Sequence, residues 1–476
     1  MSPDIQIHKF RVEVTKDESI HVREDPEGNG FQPCTIKLDP VRRQTIDLLV
    51  KMLRENRLTT IDEYEVLGAN LYSVLLDNEI GDAINNAYYA DKNASYLLVE
   101  LTFKEGQQYL STLPWEYLYR PKREGKLGSG FLAEQSKLIL VRNLQLDISP
   151  LPLEVAEEDL PLRILFVAPS PRDEERVEYE RILEEVNKLK KEAGNRIQIY
   201  ELVEPYDTED DQAPVVTYEA FKEWVTSTEP HIIHFVGHGR YDKAKGGQIA
   251  FMGLDFKAHW VKDARFAGLL AESPRLRLIF LQACESGLAN PYQALSGVAM
   301  EIAHRNIPAV VAMHYKIKQH VASQFAVNFY KALSDQETVE YAVQLGRRGI
   351  GDNSDDNFAF ALPVLYIRKS GSSLMRSLKN AEASSYQKQV LPNAAGFGRN
   401  LQGDSKEHQT DQLICAWCEA SNDPVGMYCR MCSRPLKCPK CSWLITQEAK
   451  FCSNCTQPLP DPAIPSHETS TIDRSR

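Results

Sequence analysis

This chain of 476 residues lacks any long apolar run, and nothing in it approaches the roughly 18–20 residues that a membrane-spanning helix needs. Its first residues, MSPDIQIHKF, hold no basic stretch followed by an apolar one, so no secretory leader is signalled. Positive charge is in deficit: 55 Lys and Arg stand against 66 Asp and Glu, a formal net charge of −11. That balance excludes a broad electrostatic attraction to nucleic acid or anionic membrane. Isolated cysteines are few. Of ten, eight fall in C-x-x-C pairs, leaving Cys34 and Cys284. In a chain without a leader, such pairs read as metal ligands in a reducing compartment and not as a disulfide framework. The expected location is the cytoplasm. Hydrophobic content of 43% and charged content of 25% are ordinary for a globular protein, and the length allows about two to four domains.

Against that background one stretch stands out. Leu276–Gly287 reads LRLIFLQACESG, a short apolar run closed by a glycine, which fits a buried parallel strand. Such a strand delivers Cys284 to its carboxyl end, where open α/β sheets place their chemistry. Upstream, His231–Gly239 (HIIHFVGHG) is a second apolar strand, ending with His238 between Gly237 and Gly239. Adjacent strands ending in His and Cys hold a base beside a thiol, the minimum for a cysteine nucleophile.

The wording Gln282-Ala283-Cys284, with His238 46 residues upstream, is close to the caspase signature, and ACESG is closer to legumain-type members of that clan. The wider context resembles the CHAT domain, a family of bacterial caspase-like and separase-like proteases. The matching pieces are LPWEYLYR (Leu113–Arg120), LRILFVAPSP (Leu162–Pro171), HFVGHG (His234–Gly239), LQACESG (Leu281–Gly287), IPAVVAM (Ile307–Met313) and LPVLYI (Leu362–Ile367). They follow the family's order across roughly residues 60–370. The resemblance implies an α/β fold: a caspase-like, doubly wound, mostly parallel sheet with a degenerate N-terminal caspase-like half. In that half Trp115 and Glu116 are expected to be structural.

The expected organisation is an N-terminal half over 1–155 and a catalytic half over 156–370. A flexible Ser-, Gln-, Asn- and Gly-rich linker follows over 371–410, then tandem zinc ribbons over 411–460 and a disordered tail over 461–476. Strands are expected at 5–14, 96–103, 138–141, 162–168, 197–202 and 309–312, and single helical regions at 61–84 and 176–192. Strand, helix, strand, helix, strand in the second half is the pattern of a parallel sheet.

The catalytic candidates are Cys284 and His238. A free thiol with a pKa of about 8.5 is mostly protonated at neutral pH, and an imidazole supplies the base. His234 competes but sits mid-strand and reads as a core residue; His231, His304 and His314 have no comparable context, and Cys34 has no partner. The family resemblance implies an oxyanion hole formed by the backbone amides of Gly239 and Cys284. Where family members that cut after a basic residue place an acid, this chain has Gln319 preceded by Lys316 and Lys318, which argues against a basic preference. Asp242 and Asp255, in an expected loop after His238, are with Gln282 and Gln319 the candidate substrate-binding residues.

In the tail, Cys415-x-x-Cys418 and Cys429-x-x-Cys432 are separated by ten residues; Cys438-x-x-Cys441 and Cys452-x-x-Cys455 repeat the unit at an offset of 23. Each set of four thiolates suits one structural zinc ion, so two closed zinc sites are expected, and metal binding supplies most of the folding energy of such small units. The arrangement resembles the double zinc ribbon. Residues 411–460 carry five Lys/Arg and four Asp/Glu, no electrostatic footprint for nucleic acid. A regulatory protein partner is favoured, and nucleic acid is left open. The leading expectation is a cysteine endopeptidase cutting a protein partner, in bacterial antiphage defence or programmed cell death by family resemblance. Two alternatives stand beside it: a catalytically silent scaffold and a zinc-ribbon sensor with protease output.

Overall fold

The structure, a computed structural model, describes residues 7–26, 28, 30–90, 96–124, 128–204, 215–242, 244, 246–285, 292–313, 318–351, 358–374, 413–414, 421–422 and 436–437. The chain divides into two compact units, Met1–Val390 and Leu391–Arg476. In the first unit the N-terminal wing runs β1 (Ile7–Val14), β2 (Ser19–Glu24), β3 (Cys34–Thr35), α1 (Pro40–Arg54), α2 (Ile61–Leu75), α3 (Glu79–Ala90), β4 (Tyr96–Phe103), α4 (Gln108–Ser111), β5 (Tyr119–Arg120), β6 (Gly130–Phe131) and β7 (Leu138–Asn143). The C-terminal wing follows with β8 (Leu162–Ala168), α5 (Glu180–Ala193), β9 (Ile197–Val203), α6 (Tyr218–Thr228), β10 (Ile232–Asp242), β11 (Gly246–Met252), β12 (Ala258–Lys262), α7 (Asp263–Ala271) and β13 (Leu278–Glu285). It ends with α8 (Tyr292–His304), β14 (Ala309–Met313), α9 (Gln319–Ser334), α10 (Val339–Gly351) and β15 (Pro363–Ile367).

One sheet of 13 strands runs through both wings in the order β12-β11-β10-β13-β14-β15-β7-β4-β1-β2-β3, with β8 and β9 branching from β10. The fold is α/β, with a mixed, mostly parallel sheet. The central strands are too apolar to face water on either side: all six residues of β7 and all five of β14 and β15 are buried. Helices therefore cover both faces. Ile182 and Val186 of α5 with Phe325 and Phe329 of α9 close one core, and Phe221 of α6, Phe266 of α7 and Val298 of α8 close the other.

The wings join at β15, which pairs antiparallel with β14 and parallel with β7 through Tyr366↔Arg142 and Ile367↔Asn143. The parallel strands of the two wings thus run in opposite directions, and their carboxyl ends open on opposite rims. Residues 371–374 close the unit, the Val155 amide donating to the Leu374 carbonyl at 2.8 Å.

Three expectations are corrected. The helical region over 61–84 is two helices, because Asn78 starts the second: its Oδ1 accepts from the amides of Ile80 and Gly81 at 3.0 and 3.3 Å. Helix α5 begins at Glu180 and not at Arg176, because buried Val177 and the Tyr179 hydroxyl, which donates to the Glu204 carbonyl at 2.9 Å, hold the preceding residues extended. The segment after His238, expected as a loop, forms the β11–β12 hairpin; Gly246 turns the chain at φ +79°, and Ile249 and Phe251 are buried.

In the second unit, β16 (Leu413–Ile414) pairs antiparallel with β17 (Ser421–Asn422). The expected linker from 375 to 410, the tail over 461–476 and all eight ribbon cysteines lie outside the described residues.

Candidate active site

Strand β10 reads IIHFVGHGRYD, and its alternation sorts residues between two environments. Ile233 and Phe235 join the core under α6 and α7, while Ile232 and Val236 join the core under α5 and α9. His234 and His238 share the second face. The parallel register with β13 is continuous from Ile232↔Leu278 to Gly239↔Glu285, and it pairs His238 with Cys284. Registered residues of neighbouring strands lie about 4.8 Å apart.

His238 also occupies a fork in the sheet. On the side away from β13, β8 pairs with β10 only over Ile232–Phe235, and β11 pairs only over Gly239–Asp242. Val236, Gly237 and His238 fall between, and the loop after β8 lies over them. Gly237 permits that approach: a Cβ there would stand 2.7 Å from the Phe235 ring and 3.5 Å from Pro169.

Within this fork the imidazole is fully buried and makes one hydrogen bond, between Nε2 and the Glu175 carbonyl at 2.7 Å. A carbonyl oxygen only accepts, so Nε2 carries a hydrogen, and in the neutral tautomer that this selects Nδ1 keeps its lone pair. Nδ1 is buried and has no hydrogen-bond partner among the described residues. The geometry therefore selects one tautomer, whose accepting nitrogen, Nδ1, lies on the strand next to a cysteine.

The other candidates are distributed as follows. Gly239 is buried next to His238 and registered with Glu285. Gln282 is 1% exposed, lies beneath the rim in register with Val236, and faces His234 without completing a well-formed hydrogen bond. His234 is wholly buried, stacks on Phe280 at 4.2 Å and shares a hydrogen bond with the Tyr330 hydroxyl at 3.0 Å. Burial pushes its pKa down to about 3, with Gln282 opposing, so it is a neutral core residue. His231 sits at the other end of β10, its Nδ1 accepting from the Arg163 amide at 3.0 Å. Asp242 ends β10 in register with Gly246, four residues or about 13 Å beyond His238. Asp255 is exposed in the β11–β12 turn, its Oδ1 accepting from the Lys257 amide at 3.3 Å. Gln319 opens α9. Its neighbours 314–317, and Ser286 and Gly287 after the cysteine, lie outside the described residues.

Sequence reasoning missed Glu175. Its contribution is a backbone carbonyl, which leaves no trace in residue type, and its own side chain is exposed. The available signal was the Pro169-Ser170-Pro171 turn, which forbids an immediate helix after β8.

The CHAT domain family matches residues 65–412, well over half of the sequence. The chain belongs to the CHAT domain family. Among solved structures this CHAT protein is similar to the Drosophila initiator caspase Dronc, at 11% identity and a TM-score of 0.30, covering 44% of this chain and 80% of that one. It is also similar to Saccharomyces cerevisiae separase in two separase–securin complexes, at 9% and 14% identity with TM-scores of 0.36 and 0.32. Those matches cover 76% and 67% of this chain but 30% and 20% of the separase chains, so it spans under a third of their length. No curated protein matches the sequence. Among the described residues, no helix is long and apolar enough to cross a membrane.

Proposed function

We propose that this CHAT protein is a cysteine endopeptidase in which Cys284 is the nucleophile and His238 the base. The observation that carries the reading is the pairing of His238 with Cys284 in adjacent strands, combined with the Glu175 carbonyl that leaves Nδ1 free to accept a proton. In the proposed reaction Nδ1 takes the thiol proton, and sulfur attacks the peptide carbonyl. The backbone amides of Gly239 and Cys284 hold the oxyanion, and the imidazolium returns the proton to the leaving amine. Water then hydrolyses the thioester. Removing one such oxyanion donor costs on the order of 10²–10³ in rate. The substrate is a protein partner, with Gln282, Gln319, Asp242 and Asp255 as candidate contacts, and the setting we favour is bacterial antiphage defence or programmed cell death in the cytoplasm.

The second unit fits two structural zinc ions. The pairing Ile414↔Ser421 brackets in sequence the Cys415-x-x-Cys418 pair, which suits one knuckle of a zinc ribbon. Cys415, Cys418, Cys429 and Cys432 would hold one ion, and Cys438, Cys441, Cys452 and Cys455 the other. Zinc there supplies folding energy and leaves the chemistry to the first unit. The ribbons recruit a regulatory protein or the substrate.

The complete burial of His238 favours one second reading, a catalytically silent scaffold with the same fold. Labelling with a thiol-reactive peptidyl electrophile separates the two. The peptidase reading expects an adduct on Cys284 that disappears in Cys284→Ala and in His238→Ala. A scaffold shows no adduct on the wild type.

A further inference from the structure

We propose that Asp173, in the loop after β8, and Phe256, in the β11–β12 turn, are positioning residues for His238: they set the place of the Glu175 carbonyl that orients the imidazole. The inference rests on the peptidase reading of Cys284 and His238 and deepens it. A carbonyl aimed at a ring nitrogen 2.7 Å away has to be held by something other than the exposed side chain of its own residue. Towards α5, buried Val177 and the Tyr179 hydroxyl fix the loop.

On the opposite side the β11–β12 turn does so. The Arg172 amide donates to the Phe256 carbonyl at 2.9 Å, and the Asp173 Oδ1 accepts from the Ala258 amide at 2.7 Å. The Arg172 guanidinium lies 4.3 Å from the centre of the Phe256 ring. Asp173 is two residues from Glu175, so a loosened pin acts over less than about 7 Å of chain.

Phe256 has φ +62°, a left-handed conformation unfavourable for a residue with a Cβ. Such a conformation persists where surroundings over-determine it, and here Arg172 grips both its carbonyl and its ring. The turn is thus a strained clamp seated on the loop that holds the base. Leu254, 91% exposed at the tip, takes no part and serves as the control.

The test uses the full chain and needs no substrate: the rate at which iodoacetamide alkylates Cys284, resolved by mass spectrometry, from pH 5 to 9. Asp173→Ala is expected to slow the reaction near pH 6.5 about tenfold, the scale of a sub-ångström misplacement, and to move the profile towards that of His238→Ala. Asp173→Asn keeps the accepting oxygen and restores the wild-type curve. Leu254→Ser leaves it unchanged. Should Asp173→Ala fail to fold, Phe256→Gly carries the test, since glycine accepts the positive φ while the grip of Arg172 on the ring is lost; the same slowing is expected. A variant curve that coincides with the wild type, or an Asp173→Asn curve that matches Asp173→Ala, overturns the proposal while the dyad stands. If His238→Ala itself coincides with the wild type, the dyad falls and the positioning role with it.

Discussion

At the carboxyl ends of β4 and β7, Glu116 and Arg142 are buried against each other, with Nε to Oε1 at 3.0 Å and Nη2 to Oε2 at 2.5 Å. Arg142 also donates to the carbonyls of Ser111 and Leu113 at 2.7 and 2.9 Å, and Trp115 fills the space beside them, stacked on Phe103. At the opposite rim, β10 and β13 carry His238 and Cys284 in register, and His238 is as deeply buried. Yet it has one hydrogen bond, and its other nitrogen has none among the described residues. Leaving a buried polar atom unpaired costs about 1–3 kcal/mol, whereas breaking a buried ion pair costs about 3–5. At the N-terminal rim the buried charges of Glu116 and Arg142 answer each other. The C-terminal rim leaves one ring nitrogen open among the described residues, as the base role proposed for His238 requires. An unpaired nitrogen does not by itself mark a site, since buried His234 also leaves Nε2 without a partner among the described residues; what sets His238 apart is its register with Cys284.

Four perturbations test that contrast. The largest effect belongs to the dyad: Cys284→Ala and His238→Ala should each lower peptide hydrolysis, per folded molecule, by about 10³-fold or more. Next, Arg142→Met should lower the unfolding free energy by about 3–5 kcal/mol in denaturant titrations, with activity per folded molecule kept. Adding Glu116→Leu should recover much of that loss, since two apolar groups leave no stranded charge; if it does not, the pair is more than structural.

The third effect is a pH slope. Burial holds His234 near a pKa of about 3, and burial with the Arg163 guanidinium nearby holds His231 near about 4, against 6.5 when exposed. Folding excludes protons that the unfolded chain binds, so this stability is complete above pH 6.5 and is lost as pH falls towards 4. Glu340, pushed up to about 7 by burial, has the opposite slope between 4.5 and 7, and comparing variants cancels it. His234→Phe should therefore reduce the loss of unfolding free energy between pH 7 and 5 by about 2 kcal/mol. Smallest of all, Cys34→Ser should leave hydrolysis and the alkylation of Cys284 unchanged: burial raises its thiol pKa and keeps it unreactive.

Much of this was legible in the sequence. The apolar runs YLLVELTF, LRILFVA and LIFLQACE become β4, β8 and β13 because buried parallel strands need such composition on both faces. The burial of Trp115 and the pairing of Glu116 match the structural role expected of them. What was not legible depends on tertiary relations. The reversal of strand direction at β15 is set by which neighbour it pairs with, and β15 meets β7 through two registered residues. The late start of α5 follows from a loop pinned by Val177 and Tyr179. Residue type did not show that Gln282, so suggestive beside Cys284, lies 1% exposed beneath the rim.

The most direct measurement of the central claim is the pH profile of Cys284 alkylation by iodoacetamide, read at that residue, in the wild type and in His238→Ala. If His238 Nδ1 accepts the thiol proton, the wild type should react about tenfold or more faster near pH 6, and its profile should carry an inflection that the variant lacks. Two superimposable profiles would contradict the account and leave the fold without its chemistry.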